Sequence, residues 1–202
     1  LTVLEVNVAA LLTGISIGGL AFALAAQDTI KNLFGSLMIF LDRPFQIGDW
    51  INFQGVDGTV EEVGFRSTRL RTFANSVVTV PNGEIAHMVV DNLGMRVYRR
   101  YSAKISVTYD TPPEKIEKYV QGLREIVAKH PNTRKDLYHI YMNEMGSDSL
   151  NILFYIFFDV PTWAEELKAR HEVILETMRL AEELDIRFAF PTQTLHIEEI
   201  PG

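Results

Sequence analysis

For covalent or metal chemistry the sequence offers five histidines, no cysteine and one Ser147-Asp148-Ser149 cluster. His87, His130, His139, His171 and His196 stand far apart and form no HExxH. Glu198 shares an expected strand face with His196, but two ligands do not hold a metal. Ser147 to Ser149 reads as a turn before a strand, without the strand-to-helix elbow that exposes a nucleophile. The glycines of "GISIGG", Gly14 to Gly19, sit in an uncharged helix with no preceding strand and no lysine, so they form no phosphate loop. No catalytic residue, no metal, no cofactor and no enzymatic activity are therefore expected. The telling spacing is Leu20 and Leu24, one helical turn apart inside "GISIGGLAFALAAQ", among residues with almost no side chain. The chemistry available to that pattern is solvation: a narrow ring of such side chains resists wetting and stops ions without a plug.

The element that must carry them is a helix. Val8 to Ala26 is a run of 19 residues without charge, roughly 28 Å of α-helix and close to the thickness of a bilayer's hydrocarbon core. A secretory signal would need a basic segment in front of it, and Glu5 stands there instead, with no Lys or Arg. A buried helix of a soluble core is usually shorter or carries a polar stripe. A membrane span is the expected reading. With Leu20 set at zero on a wheel of 100° per residue, Thr13, Ile17 and Leu24 fall within roughly 60° of it. Gly14, Gly18, Ala21 and Ala25 form one flank, and Gly19, Ala23 and Ala26 the other. Gly14 and Gly18 make a GxxxG, which lets helices approach closely in a membrane. Two small flanks suit a helix with a neighbour on each side, as in a closed ring, with the leucine stripe facing the axis. A small-residue helix inside a monomeric bundle is the other reading of the same wheel.

Gln27 and Asp28 end the apolar run. A carboxylate is costly at the bilayer centre, so a helix break is expected at this pair, with Asp28 capping a new start. Ile30, Leu33, Phe34, Leu37 and Leu41 then recur at helical spacing, which predicts an amphipathic helix at an angle to the first. From Pro44 to about Met95 the chain reads as short strands with turns at Gly55, Gly58 and Gly83, a small β-barrel or sandwich. Arg66, Arg69 and Arg71 face six carboxylates in this segment, which has no lysine. They could line a polar lumen, meet headgroups, or pair with Glu61 and Glu62 as ordinary surface ion pairs.

From Arg96 to about Phe190 the order β-α-β-β-α-β resembles a split βαβ unit. Thr111-Pro-Pro-Glu114 and Thr162-Trp-Ala-Glu165 read as capping boxes. Ile116, Tyr119, Val120, Leu123, Ile126 and Val127 make the apolar stripe of the first helix. His171 is expected to pack beside Leu167 and Ile174. The strand Leu150 to Phe158 is apolar on both faces, one for a helix and one for a partner. A last strand, about Thr194 to Ile197, follows Pro191. The net charge of −7 argues against nucleic acid as a partner. The chain starts at Leu1 without an initiator methionine and is expected to be part of a longer protein.

The run "GGLAFALAAQDTIKNLFGSLMIFLDRPFQIGDWI", then "GTVEEVGFRSTRLRT", then "VVTVPNGEI", resembles the small-conductance mechanosensitive channel (MscS) family. "LDRPF", "GDWI" and the "FAFPTQTLHI" tail look closer to the low-conductance YnaI-type branch than to the founding channel. The resemblance implies a homoheptamer in a bacterial inner membrane that opens under tension and releases ions and small osmolytes during hypoosmotic shock. It implies residues 1–43 as pore-lining transmembrane helix and amphipathic continuation, and 44–95 as a cytoplasmic Sm-like small β-barrel. Residues 96–190 would be an α+β ferredoxin-like domain, and 191–202 a C-terminal strand of an oligomeric base barrel. The family's two constriction leucines fall on Leu20 and Leu24, with Thr13 and Ile17 lining the same stripe. Its hinge region falls on Gln27-Asp28, where the founding channel has glycine after the glutamine and this chain has Asp28. A second family glycine falls near Gly35-Ser36. From a different class, a membrane-tethered oligomeric scaffold whose β domain binds a partner or RNA fits the same elements.

Overall fold

The computed structural model describes residues 8–191, in two compact units that divide between Arg96 and Val97. The strand expected from Thr194 to Ile197, with His196 and Glu198, lies outside the described residues.

The first unit opens with α1, Val8–Asp42, a helix of 35 residues. It is long and apolar enough to cross a membrane. The ladder runs without interruption through Gln27 and Asp28, which corrects the expected break at that pair. Both residues keep a backbone N–H, and both side chains are exposed. An exposed Asp in a helix interior costs only a few tenths of a kcal/mol, less than opening the ladder. The helix stops at "DRP" instead. Arg43 takes a left-handed φ of 47° and returns its N–H to the Ile39 carbonyl at 3.0 Å, and Pro44 bars continuation.

Five strands follow: β1 Trp50–Phe53, β2 Val56–Val63, β3 Ser67–Thr72, β4 Val77–Pro81 and the short β5 Asp91–Asn92. They make one antiparallel sheet in the order β4-β3-β2-β1-β5. The β1–β2 hairpin closes over Gln54 and Gly55, both with positive φ, 47° and 82°. That is the two-residue turn whose twist matches the strands. Gly58, expected as a turn residue, lies inside β2, where a Cβ would stand 2.7 Å from the Arg71 carbonyl oxygen. Gly83 likewise belongs to a short helix, α2, Asn82–Ile85. Ile51, Phe53, Val60, Leu70, Val80 and Ile85 form the core, and Ile39 and Phe45 join it from the end of α1 and the segment after it.

The second unit runs β6 Arg99–Val107, α3 Pro113–Lys129, β7 His139–Met145, β8 Leu150–Phe158 and α4 Trp163–Glu183. The sheet order β6-β8-β7 puts the third strand between the first and the second, as in a ferredoxin-like unit. The final strand of that pattern is reduced to a bridge from Phe188 to Val107. Ile116, Tyr119, Val120, Leu123 and Val127 of α3 are buried, as their spacing predicts. Tyr119 is fully enclosed and donates to the Thr177 carbonyl of α4 at 3.2 Å. Burial pushes its phenol well above the usual range. His171 is exposed, not packed, because α4 buries Glu166, Ala169, Val173, Thr177 and Ala181, a face that leaves Leu167 and Ile174 outside too. Among the described residues the buried histidine is His130.

Two Thr-x-x-Glu motifs that look alike in sequence behave differently. Thr162 accepts from the Glu165 N–H at 3.2 Å while the Glu165 carboxylate takes the Thr162 N–H at 3.1 Å, a complete capping box. At Thr111 no box forms. The helix starts later, after Pro112, and the Thr111 hydroxyl pairs with that of Thr108. Thr162→Ala is therefore expected to lower stability by about 1 kcal/mol, with Thr111→Ala costing less. Thermal unfolding of the intact protein followed by circular dichroism measures the difference.

Candidate pore helix and its anchor on the β domain

The two halves of α1 differ in what their side chains touch. In the first half Leu20 and Leu24 are each 63 % exposed, and Thr13 and Ile17 on the same stripe are exposed too. A Cβ added at Gly14, Gly18 or Gly19 would meet nothing within 4 Å. Nothing among the described residues therefore requires glycine at these positions. Ala21, Ala23 and Ala25 are exposed and Ala26 half-buried. The hydroxyls on this helix satisfy themselves: Thr13 donates to the Ala9 carbonyl and Ser16 to that of Leu12, each at 2.8 Å. Such back-bonding lets a hydroxyl sit in hydrocarbon without an orphan proton.

The second half is the reverse of an ordinary amphipathic helix. The apolar positions Ile30, Leu33, Phe34, Leu37 and Leu41 are exposed. The side turned to the β domain carries Asn32, Gly35, Ser36 and Ile39, at helical spacing, with Gly35 and Ile39 buried. It meets α2, the "NG" that follows Pro81. A Cβ on Gly35 would fall onto the Asn82 peptide, 2.6 Å from the Gly83 nitrogen, and one on Gly83 would lie 2.8 Å from Lys31 Cγ and 3.0 Å from its carbonyl. The contact is backbone on backbone.

Asn82 is fully buried and holds this contact together. Its amide nitrogen donates to Ser36 Oγ and to the Gly64 carbonyl, both at 2.8 Å, and its Oδ1 accepts from Thr68 Oγ1 at 2.7 Å. Its backbone N–H donates to the Arg66 carbonyl at 2.9 Å. The Ser36 proton is shared between the carbonyls of Asn32 and Phe65. Asn32 Oδ1 accepts the Gly83 N–H at 3.0 Å. Three of the four hydrogen bonds that a buried asparagine amide can make are filled, by α1, by β3 and by the turn before β3.

The arginines of the sheet resolve as ion pairs. Arg71 reaches Glu61 with Nε at 2.7 Å and Nη2 at 3.2 Å, and Arg69 meets Glu62 at 3.0 Å. A register shift between Val60 and Glu62 accompanies the two carboxylates. Among the described residues no three His, Asp or Glu side chains converge as a metal site.

Two models of one family account for about three quarters of the chain. Residues 28–95 match the mechanosensitive ion channel β-domain, and residues 102–188 match the MscS C-terminal domain. The chain belongs to the MscS family. The small-conductance mechanosensitive channel MscMJ of Methanocaldococcus jannaschii is 40% identical over 193 residues, covering 96% of this chain and 55% of that channel. The low conductance mechanosensitive channel YnaI of Escherichia coli K12 is 37% identical over 198 residues, covering 96% and 57%. The chain thus spans a little over half the length of these MscS relatives. Of solved structures, closed-state MscS of Helicobacter pylori superposes with a TM-score of 0.84 at 23% identity, over 97% of this chain and 76% of that one. That likeness establishes the fold.

The anchor yields a test. Gly35→Ala and Gly83→Ala each force backbone apart, at roughly 1–3 kcal/mol. Asn82→Ala leaves buried groups of Ser36, Gly64 and Thr68 without a partner, at about 1–3 kcal/mol for each group stranded. Thermal unfolding and limited proteolysis between α1 and β1 are expected to show both losses.

Proposed function

We propose that the intact protein is a mechanosensitive ion channel, with α1 as its pore-lining helix. Copies of α1 stand around a central axis, as a homoheptamer in a bacterial inner membrane, and the residues after about 43 lie in the cytoplasm. Leu20 and Leu24 form two stacked apolar constrictions, with Thr13 and Ile17 lining the same stripe. Gly14, Gly18, Ala21 and Ala25 on one flank meet Gly19, Ala23 and Ala26 of the next copy.

One observation carries this reading. The first half of α1 is uncharged all round, yet a Cβ on Gly14, Gly18 or Gly19 would touch nothing among the described residues, and Ala21, Ala23 and Ala25 are exposed. Side-chain bulk is missing on both flanks, where a neighbouring helix would make use of the space. Membership of the MscS family supplies the class of activity.

Tension does work when a channel widens in the plane of the bilayer, so stretch shifts the population towards the wider state. The small flanks let neighbouring helices slide with little steric resistance. As they tilt, the leucines withdraw from the axis, the constriction wets, and ions and small osmolytes leave along their gradients. The permeant partners are thus ions and osmolytes, and the lipid bilayer is the source of the force.

Leu24→Ser is expected to lower the opening tension in patch recordings, because a hydroxyl ring holds water that leucine excludes. Ala21→Leu or Ala23→Leu is expected to raise it by filling a flank. An unchanged threshold for Leu24→Ser would remove this residue from the gate.

A further inference from the structure

The sheet of the second unit has one face covered by α3 and α4 and one covered by neither. Strand alternation and register define what the open face carries. Tyr155 at its centre lies opposite Ser102 on β6 and His139 on β7, and Phe157 lies opposite Arg100. The next row joins Lys104, Leu153 and Tyr141. Tyr155 and Phe157 are half-buried, with ring centroids 5.3 Å apart and nearly perpendicular planes. His139 stacks obliquely on Tyr155 at 5.8 Å.

Beside Tyr155 the β6 position is the small, exposed Ser102, and the half-buried ring is bordered by Phe157, His139 and Arg100. Arg100 and Lys104 bracket Ser102 on the same face, two residues away in each direction. The Arg100 guanidinium lies 5.9 Å from the Tyr155 ring, with no carboxylate of the described residues within ion-pairing distance. Lys104 meets Glu144 at 3.3 Å in an exposed pair, a bond worth little in water. This local surplus of positive charge belongs to a chain whose net charge is −7.

We infer that this face binds a nucleoside phosphate: the base stacks on Tyr155, and the phosphate sits over Ser102 between Arg100 and Lys104. An aromatic ring takes a planar base whatever its identity. Two cations flanking a hydroxyl complement a phosphate. The site is separate from the pore helix, and the inference does not rest on permeation.

The test is a calorimetric titration of the full-length protein in detergent micelles with AMP, adenosine and ribose 5-phosphate. AMP is expected to bind saturably, with a Kd of about 0.1–1 mM, and both fragments roughly tenfold or more weaker. Arg100→Ala and Lys104→Ala should each weaken AMP several-fold and leave adenosine unchanged. Tyr155→Ala should weaken AMP and adenosine together, and Tyr155→Phe should retain both. Absence of saturable AMP binding by the unaltered protein overturns the proposal, as does a Tyr155→Ala protein that folds and binds like the original. Native mass spectrometry closes the remaining route. If Arg100→Ala or Tyr155→Ala dissociates the assembly and the unaltered protein ignores AMP, the face belongs to a second copy of the chain and the inference fails.

Discussion

The first unit depends on the burial of one amide. Asn82 has no exposed surface, so each of its polar atoms left unpaired would cost the full desolvation penalty. It avoids that cost only when Ser36 of α1, Thr68 of β3 and the Gly64 carbonyl are all in place. Two segments far from it in sequence, α1 at Ser36 and the stretch from Gly64 to Thr68, are therefore satisfied together or not at all. That explains why the second half of α1 turns a small, polar side to the β domain and leaves its large apolar side chains outside. The inward side is shaped for hydrogen bonds and close approach. The outward one is left for lipid or other chains.

Much of this could be read from residue order, and the rest could not for specific reasons. The apolar run of α1, the stripe from Ile116 to Val127 and the Thr162 box are local patterns, and local patterns are what periodicity reports. The expected break at Gln27-Asp28 failed because a polar pair leaves every backbone N–H in the ladder, whereas the left-handed Arg43 followed by Pro44 ends it. Thr111 failed because two prolines follow it, and the helix took the second as its start. His171 failed because α4 packs along Ala169 and Val173, one strip round from the bulkier residues. The role of Asn82 was hidden for another reason. Its partners lie 14, 18 and 46 residues away, and no window of sequence contains them. A signal was nonetheless present: "PNG" directly after a strand, with "NLFGS" on a helix, pairs amides with glycines in both segments.

The two units use polar groups differently. In the first, polar atoms join helix to sheet. In the second, the helices are joined to the sheet mainly by apolar side chains, and cations stand over aromatic rings at its margins: Arg134 over Tyr98 at 4.3 Å, Arg124 over Tyr141 at 4.7 Å and Arg170 over Tyr101 at 4.7 Å. Guanidinium groups suit this role because they shed water more readily than an ammonium and lie flat on a ring. They also keep the sheet's edges soluble while the rings beneath them remain partly sheltered.

The meeting of Gly35 with Gly83 has a mechanical consequence. Where two helices touch through long side chains, rotamers can give way and absorb a displacement. Here the peptides themselves are in contact and nothing flexible lies between them. The second half of α1 cannot roll about its own axis without prising the β sheet away, so it behaves as a stiff arm bolted to that sheet. A torque delivered to the arm reaches the sheet through backbone in close contact.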